Sequence, residues 1–163
     1  MRYYPAFIDL EGKKVVFSGA GTHAAAKIRL LLKTPAEIHV FGNNACSQVT
    51  EWAEAGKVTL HGRAVEARDI EDARLVYGAN DNPSEDKRVL TLTRKAGVLG
   101  NIVDNLEDSE FLTPALVVRA PVTVAIGTEG TAPVLARQIK AMLEQKLPAS
   151  TGILARIADQ FRP

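Results

Sequence analysis

The sequence predicts an α/β fold, a parallel sheet with helices on both faces, followed by a smaller segment of strands and helices. Three observations predict it. Short apolar runs alternate with amphipathic runs as far as Asp104, at the spacing of βαβ units. A glycine turn joins the first apolar run to the first amphipathic one. Beyond Asp104, two strand-like runs are separated only by Ala120-Pro121, which suits an antiparallel pair and is too short for a crossover.

In order along the chain, Tyr3 to Asp9 is an apolar lead-in, and Glu11-Gly12 turns into a buried strand, Lys14-Val15-Val16-Phe17-Ser18. Gly19-Ala20-Gly21 follows, then a helix through Ile28, Leu31 and Leu32. Residues 36–41 form a second strand, stopped by Gly42-Asn43-Asn44. Val49, Trp52 and Ala53 recur at helical spacing until Gly56 breaks the helix. Val58-Thr59-Leu60 is strand-like, Ile70 sits in a short acidic helix, and residues 74–79 make a fourth strand. Pro83 stands where a helix starts, with Asp81 or Asn82 as its cap, and Gly97 ends it. A fifth strand, residues 98–103, ends at Asp104.

The pattern then changes. Residues 116–119 and 122–127 are the antiparallel strands. Thr131 and Pro133 open a long helix that ends at Leu147-Pro148, and Ser150 is placed to cap a last helix through Ile153, Ile157 and Phe161. The expected division is 1–112 for the sheet domain, 113–148 for the strand-and-helix segment and 149–163 for a final helical region. The second segment is too small to hold its own core, so a second copy of the chain is expected to complete it.

Composition narrows the function classes. The chain has 163 residues, 46% hydrophobic and 24% charged, enough for one good core with an appendage. A net charge of +1, without a basic stripe, argues against a general grip on nucleic acid. No apolar run is long enough to span a bilayer, and none follows the N-terminus as a secretory signal would, so a cytoplasmic location is expected. The single Cys46 and the scattered His23, His39 and His61 show no metal-ligand spacing. His39 alternates with Ile38 and Val40, as on the polar face of a strand.

The candidate site begins at the glycine turn. Gly19, Gly21 and Ala24 fill a G-x-G-x-x-[GA] pattern between a strand and a helix. The first glycine permits the turn, the second lets backbone approach a pyrophosphate, and the alanine lets the helix pack closely. Thr22 and His23 stand at the helix start, where free N–H groups and the helix dipole favour a phosphate. The pattern therefore points to a Rossmann-like sheet that binds a dinucleotide. Asn43 and Asn44 end the second strand, where a ribose is held, although the same residues also make an ordinary turn. With no arginine beside them in sequence, NAD is expected over NADP. Asn80 and Asp81 end the fourth strand on the edge where ligands bind, although helix capping alone is the simpler reading of them. Asp104 ends the fifth strand on the ligand edge and can take a proton; the alternative is a solvated loop carboxylate. Gly127-Thr128-Glu129-Gly130-Thr131-Ala132-Pro133 is a second glycine-bearing turn at a helix start, followed by Arg137 and Lys140. There is no Tyr-x-x-x-Lys pair of the short-chain dehydrogenase kind.

Several separate segments together resemble the N-terminal module of siroheme synthase, the precorrin-2 dehydrogenase and sirohydrochlorin ferrochelatase family. They are Pro5-Ala6-Phe7-Ile8-Asp9-Leu10, the glycine turn with Lys27, Asn101-Ile102-Val103-Asp104, Phe111 with Pro114, Arg119, and Thr128 to Arg137. The resemblance implies a Rossmann-like domain that binds NAD, with Asn101 near the cofactor, and a dimerisation segment after it. It implies oxidation of the tetrapyrrole precorrin-2, followed by insertion of ferrous iron (Fe2+) to give siroheme. It assigns Asp104 to both steps, including transient contact with the metal. It further implies a homodimer and, in longer members, a methyltransferase domain. A different class of reading, a non-catalytic NAD-sensing module that regulates a partner protein, shares the glycine turn but leaves a tetrapyrrole unchanged.

Overall fold

The computed structural model describes residues 1–161, so the last two positions of the expected 149–163 segment lie outside the described residues. The chain forms two compact units, one of Pro5–Phe111 and one of Met1–Tyr4 with the chain from Leu112 onward.

The first unit holds five parallel strands: β1 (Lys14–Ser18), β2 (Glu37–Phe41), β3 (Thr59–His61), β4 (Leu75–Gly78) and β5 (Leu99–Ile102), in the order β3-β2-β1-β4-β5. Strands of this sheet alternate their side chains between two covered faces, which is why they read as nearly continuous apolar runs. Val15, Phe17, Ile38, Val40 and Tyr77 pack on one face with α1 (Thr22–Leu31) and α2 (Ser47–Glu54). Val16, Phe41 and Val76 pack on the other with α3 (Ala67–Ile70) and α4 (Pro83–Ala96). The strand order reverses at β1. Successive strands run outward to β3, then α3 carries the chain back to β4 on the other side. The connections that leave the adjacent tips of β1 and β4 therefore run to opposite faces, α1 on one and α4 on the other, leaving between them a crevice of the kind in which open α/β sheets bind ligands.

The helix ends follow local chemistry. Of the two expected caps for α4, Asn82 is the one used: its Oδ1 accepts from Ser84 N at 3.1 Å and Glu85 N at 3.4 Å, Pro83 follows, and Gly97 closes the helix in the left-handed region. The start of α1 differs. Gly21 caps it without a side-chain bond.

In the second unit β6 (Ala115–Arg119) and β7 (Val122–Ile126) pair antiparallel, as expected, with α5 (Pro133–Lys146) and α6 (Ser150–Asp159) against them. Ser150 does not cap α6. The cap position is Ala149, already helical, and Ser150 is the first residue of the helix. A backbone bond from Thr151 N to Pro148 O at 3.0 Å starts the turn one residue earlier and makes a side-chain cap unnecessary. Arg119 closes the C-terminal end of α5, donating from Nε to Leu147 O at 2.8 Å and from Nη2 to Glu144 O at 3.2 Å. Gly152 lets α6 approach the β6–β7 turn, since a Cβ there would lie 2.4 Å from the carbonyl oxygens of Arg119 and Ala120. Val134, Leu135, Met142, Ile153, Leu154 and Ile157 remain exposed.

Candidate functional site

The site is built where strand tips meet the glycine turn. Gly19 has φ of +105°, and a Cβ there would sit 2.0 Å from Ala79 O, so only glycine lets the tips of β1 and β4 touch. Backbone bonds lock the tips together: Gly19 N to Phe41 O at 2.8 Å, Ala79 N to Ser18 O at 2.7 Å and Gly42 N to His61 O at 3.0 Å. Gly42 lies against Ala20, whose N would be 3.2 Å from an added Cβ.

Gly21 is different. Its extended backbone suits any residue, and the nearest atom to an added Cβ is Asp81 Oδ2 at 3.5 Å, an ordinary contact. Nothing within the chain requires glycine at this position. A cradle that stays open above the uncapped start of α1 fits a pyrophosphate lying against the backbone.

Beside this cradle is a cleft of about 400 Å³, lined by Gly42, Asn43, Asn44, Asn80, Asn82 and Glu85 among others. Three elements supply its walls: the tip of β2, the tip of β4 and the first turn of α4. The side chain of Asn80 is held in place, accepting from Ser18 Oγ at 3.1 Å and donating from Nδ2 to Asp86 Oδ1 at 2.7 Å. Asn43 and Asn44 are exposed to the cleft. Thr22 and His23 open α1, and His23 Nδ1 lies 3.2 Å from Asp81 Oδ1, both side chains largely exposed. Gly19, Gly21, Thr22, His23, Asn43, Asn44 and Asn80 thus gather at the carboxyl edge of the sheet around the β1–β4 crevice.

Asn101 does not line the cleft. It is the register partner of Tyr77, so it faces the side of the sheet covered by α1 and α2. There it is 5% exposed, and its Nδ2 donates to Phe111 O at 2.8 Å and Ser109 Oγ at 3.3 Å. Its Oδ1 has no hydrogen-bond partner among the described residues. Asp104 sits at the tip of the turn that this brace supports. Val103 N bonds Gly78 O at 2.8 Å, and Ser109 Oγ holds both ends of the turn, accepting from Ile102 N at 3.0 Å and donating to Asn105 O at 2.6 Å. Asp104 itself is exposed, with φ of +61°. Its carboxylate makes no hydrogen bond or ion pair among the described residues.

Sequence reading missed three features. Glu85 joins the cleft wall, signalled only by its position in the first turn of α4. Arg63 and Arg88 flank that wall although neither is near Asn43 in sequence, but each is tied to a carboxylate. Arg88 grips Glu85 through Nη2 at 2.6 Å and Nε at 2.8 Å, and Arg63 grips Asp69 at 2.7 and 2.8 Å. His39 and His61, 22 residues apart, meet across β2 and β3 with Nδ1 and Nε2 at 3.2 Å. Burial, and then the His61 charge, lower the His39 pKa. His39 is therefore half-buried and paired, not simply a polar-face residue. Among the described residues no group of three or more His, Cys, Asp or Glu could hold a metal ion.

The second glycine-bearing turn belongs to the other unit. Thr131 closes it through N and Oγ1 to Thr128 O at 2.9 and 2.7 Å, and Glu129 accepts from Arg2 N at 2.9 Å. Thr128 O and one Glu129 oxygen are thus engaged, and Lys140 pairs with Glu144 at 3.7 Å.

A family model described as putative NAD(P)-binding matches residues 6–115. Siroheme synthase from Pseudoalteromonas atlantica is 36% identical over 162 residues, 99% of this chain and 35% of that protein. Siroheme synthase from Ruthia magnifica is 37% identical over the same length, 34% of that protein. The chain thus spans about a third of the length of these relatives. A solved structure of SirC, precorrin-2 dehydrogenase, superposes with a TM-score of 0.73 at 23% identity, covering 94% of this chain and 76% of that one. That likeness establishes the doubly wound fold.

Proposed function

Because the chain belongs to the putative NAD(P)-binding family, we propose that it binds NAD at the β1–β4 crevice and oxidises precorrin-2 to sirohydrochlorin, then assists insertion of ferrous iron. The observation that carries the cofactor half is Gly21, a glycine no contact within the chain demands, above an uncapped helix start. The substrate half rests on the siroheme synthase relatives that align with 99% of the chain.

NAD, when bound, supplies a hydride acceptor. The chain contributes the rest. The Gly19–Gly21 turn and the N–H groups of Thr22 and His23 hold the pyrophosphate, while Asn43, Asn44 and Asn80 hold the adenosine half. Asn101 enters this proposal as a brace beneath the turn of Asp104, not as a ligand. Loss of a hydride from precorrin-2 leaves a proton to be removed, and the exposed Asp104 carboxylate takes it. Iron is a substrate, and the macrocycle nitrogens are its final ligands. Asp104 serves as a transient oxygen ligand and helps remove the pyrrole protons. A homodimer formed through the second unit and a cytoplasmic location complete the proposal. No helix of the described residues is long and apolar enough to cross a membrane. The relatives' extra length is consistent with a further domain in a longer protein.

Anaerobic incubation with precorrin-2 and NAD tests the reading, because reduced nicotinamide and sirohydrochlorin must appear together in the absorption spectrum. NAD binding with the tetrapyrrole unchanged would favour the sensing module instead.

A further inference from the structure

We infer that Glu85, clamped by Arg88, sets the choice between the two dinucleotides by keeping a 2′-phosphate out of the adenosine end of the cleft. The inference rests on the proposed dinucleotide binding and goes beyond it to specificity. The cleft has a consistent chemistry. Asn43 and Asn44 present neutral amides, which can both donate to and accept from ribose hydroxyls, and Asn80 and Asn82 add neutral amides whose oxygens are engaged by Ser18 and by the start of α4. Glu85 adds a carboxylate to the same wall and is its one charged lining residue among the described residues. A phosphate dianion placed there meets a like charge and, among the described lining residues, no cation, the repulsive element that specificity commonly needs.

Two arginines stand close enough to matter, yet neither offers its charge. Arg88 holds both Glu85 oxygens at 2.6 and 2.8 Å and Val65 O at 2.7 Å. Arg63 holds both Asp69 oxygens and Ala64 O at 3.1 Å, with its guanidinium over the Phe41 ring. A guanidinium engaged bidentately by a carboxylate is a poor partner for a second anion. The Arg88 bond also holds the Glu85 carboxyl below its ordinary pKa, so the repelling charge persists at neutral pH. This arrangement puts the discriminating carboxylate on the first turn of α4, where this fold would ordinarily use one at the end of β2.

The test is calorimetric titration of NAD and NADP into wild type and Glu85→Gln at low ionic strength. The glutamine keeps the size, removes the charge and releases Arg88. Wild type should prefer NAD, and the ratio of the two dissociation constants should move toward NADP by about tenfold or more in the variant. Adding Arg88→Ala to Glu85→Gln should remove most of that gain. Glu85→Ala provides the same readout should Glu85→Gln fail to fold, since Glu85 is partly exposed at a helix surface. A ratio unchanged in these variants, or a wild type preferring NADP, overturns the inference. A wild type that binds neither dinucleotide refutes the underlying reading along with it.

Discussion

Gly19 and Gly21 are the same residue type for different reasons, and the difference is measurable. Gly19 holds a left-handed φ with a carbonyl where a Cβ would stand, whereas Gly21 is extended and has room. Gly19→Ala should therefore cost about 3 kcal/mol or more and lower the melting temperature sharply. Gly21→Ala should melt close to wild type and lose at least about tenfold in NAD affinity, as its methyl would occupy the pyrophosphate's place. Melting curves and calorimetry on both variants check this, and a stable Gly19→Ala would contradict it. The sequence pattern marked both glycines and gave them different roles, but the contact that forbids a Cβ at Gly19, Ala79 O across the turn, lies 60 residues away and was not legible. Asn101 shows the same limit. The resemblance implies a place near the cofactor, but register with Tyr77 turns Asn101 to the face covered by α1 and α2, away from the cleft wall that α4 supplies.

At the scale of elements, α4 was readable because its signals are local: Asn82, Pro83 and Gly97 act within one turn of their own helix. The short α3 is held differently. Asp69 accepts from Glu66 N at 2.8 Å in a capping box and from Arg63, which precedes the helix. The hydrogen bond from Arg63 is the main reason that the Asp69 pKa falls from 3.8 to about 2. A depressed carboxyl stabilises the fold in full above its unfolded value and loses that contribution as pH falls through its folded value. Wild type should thus lose roughly 1–2 kcal/mol between pH 3.8 and about 2 from this group. Asp69→Asn should lack that part of the acid transition and be less stable by a similar amount at neutral pH, as denaturant melts at several pH values would report. Equal acid limbs in the two proteins would contradict the assignment. Arg119 reaching α5 and His39 meeting His61 were not legible, because those partners lie 22 to 28 residues away and only tertiary folding brings them together.

For the whole molecule, the α/β class, the parallel sheet and the change of pattern after Asp104 follow from periodicity and connection length, whereas the strand order β3-β2-β1-β4-β5 is set by tertiary pairing. The occupant of the exposed apolar surface of the second unit does not follow in that way. Val134, Leu135, Met142 and Ile153 are half exposed or more, and among the described residues the buried aliphatic side chains there come down to Val117 and Ala136. Light scattering at micromolar concentration should give about twice the 17.6 kDa chain mass. A monomer in which β6 and β7 remain ordered would contradict the proposed dimer. The central claim is that this cofactor crevice and Asp104 together oxidise a tetrapyrrole. Its most direct test compares wild type with Asp104→Asn in anaerobic single turnover with precorrin-2 and NAD, with calorimetric NAD binding and melting measured on the same samples. Wild type should give sirohydrochlorin and reduced nicotinamide in equal amounts. The variant should melt and bind NAD like wild type but turn over about 10²–10⁴-fold more slowly. A folded Asp104→Asn with full activity, or a wild type that leaves precorrin-2 unoxidised, would contradict it.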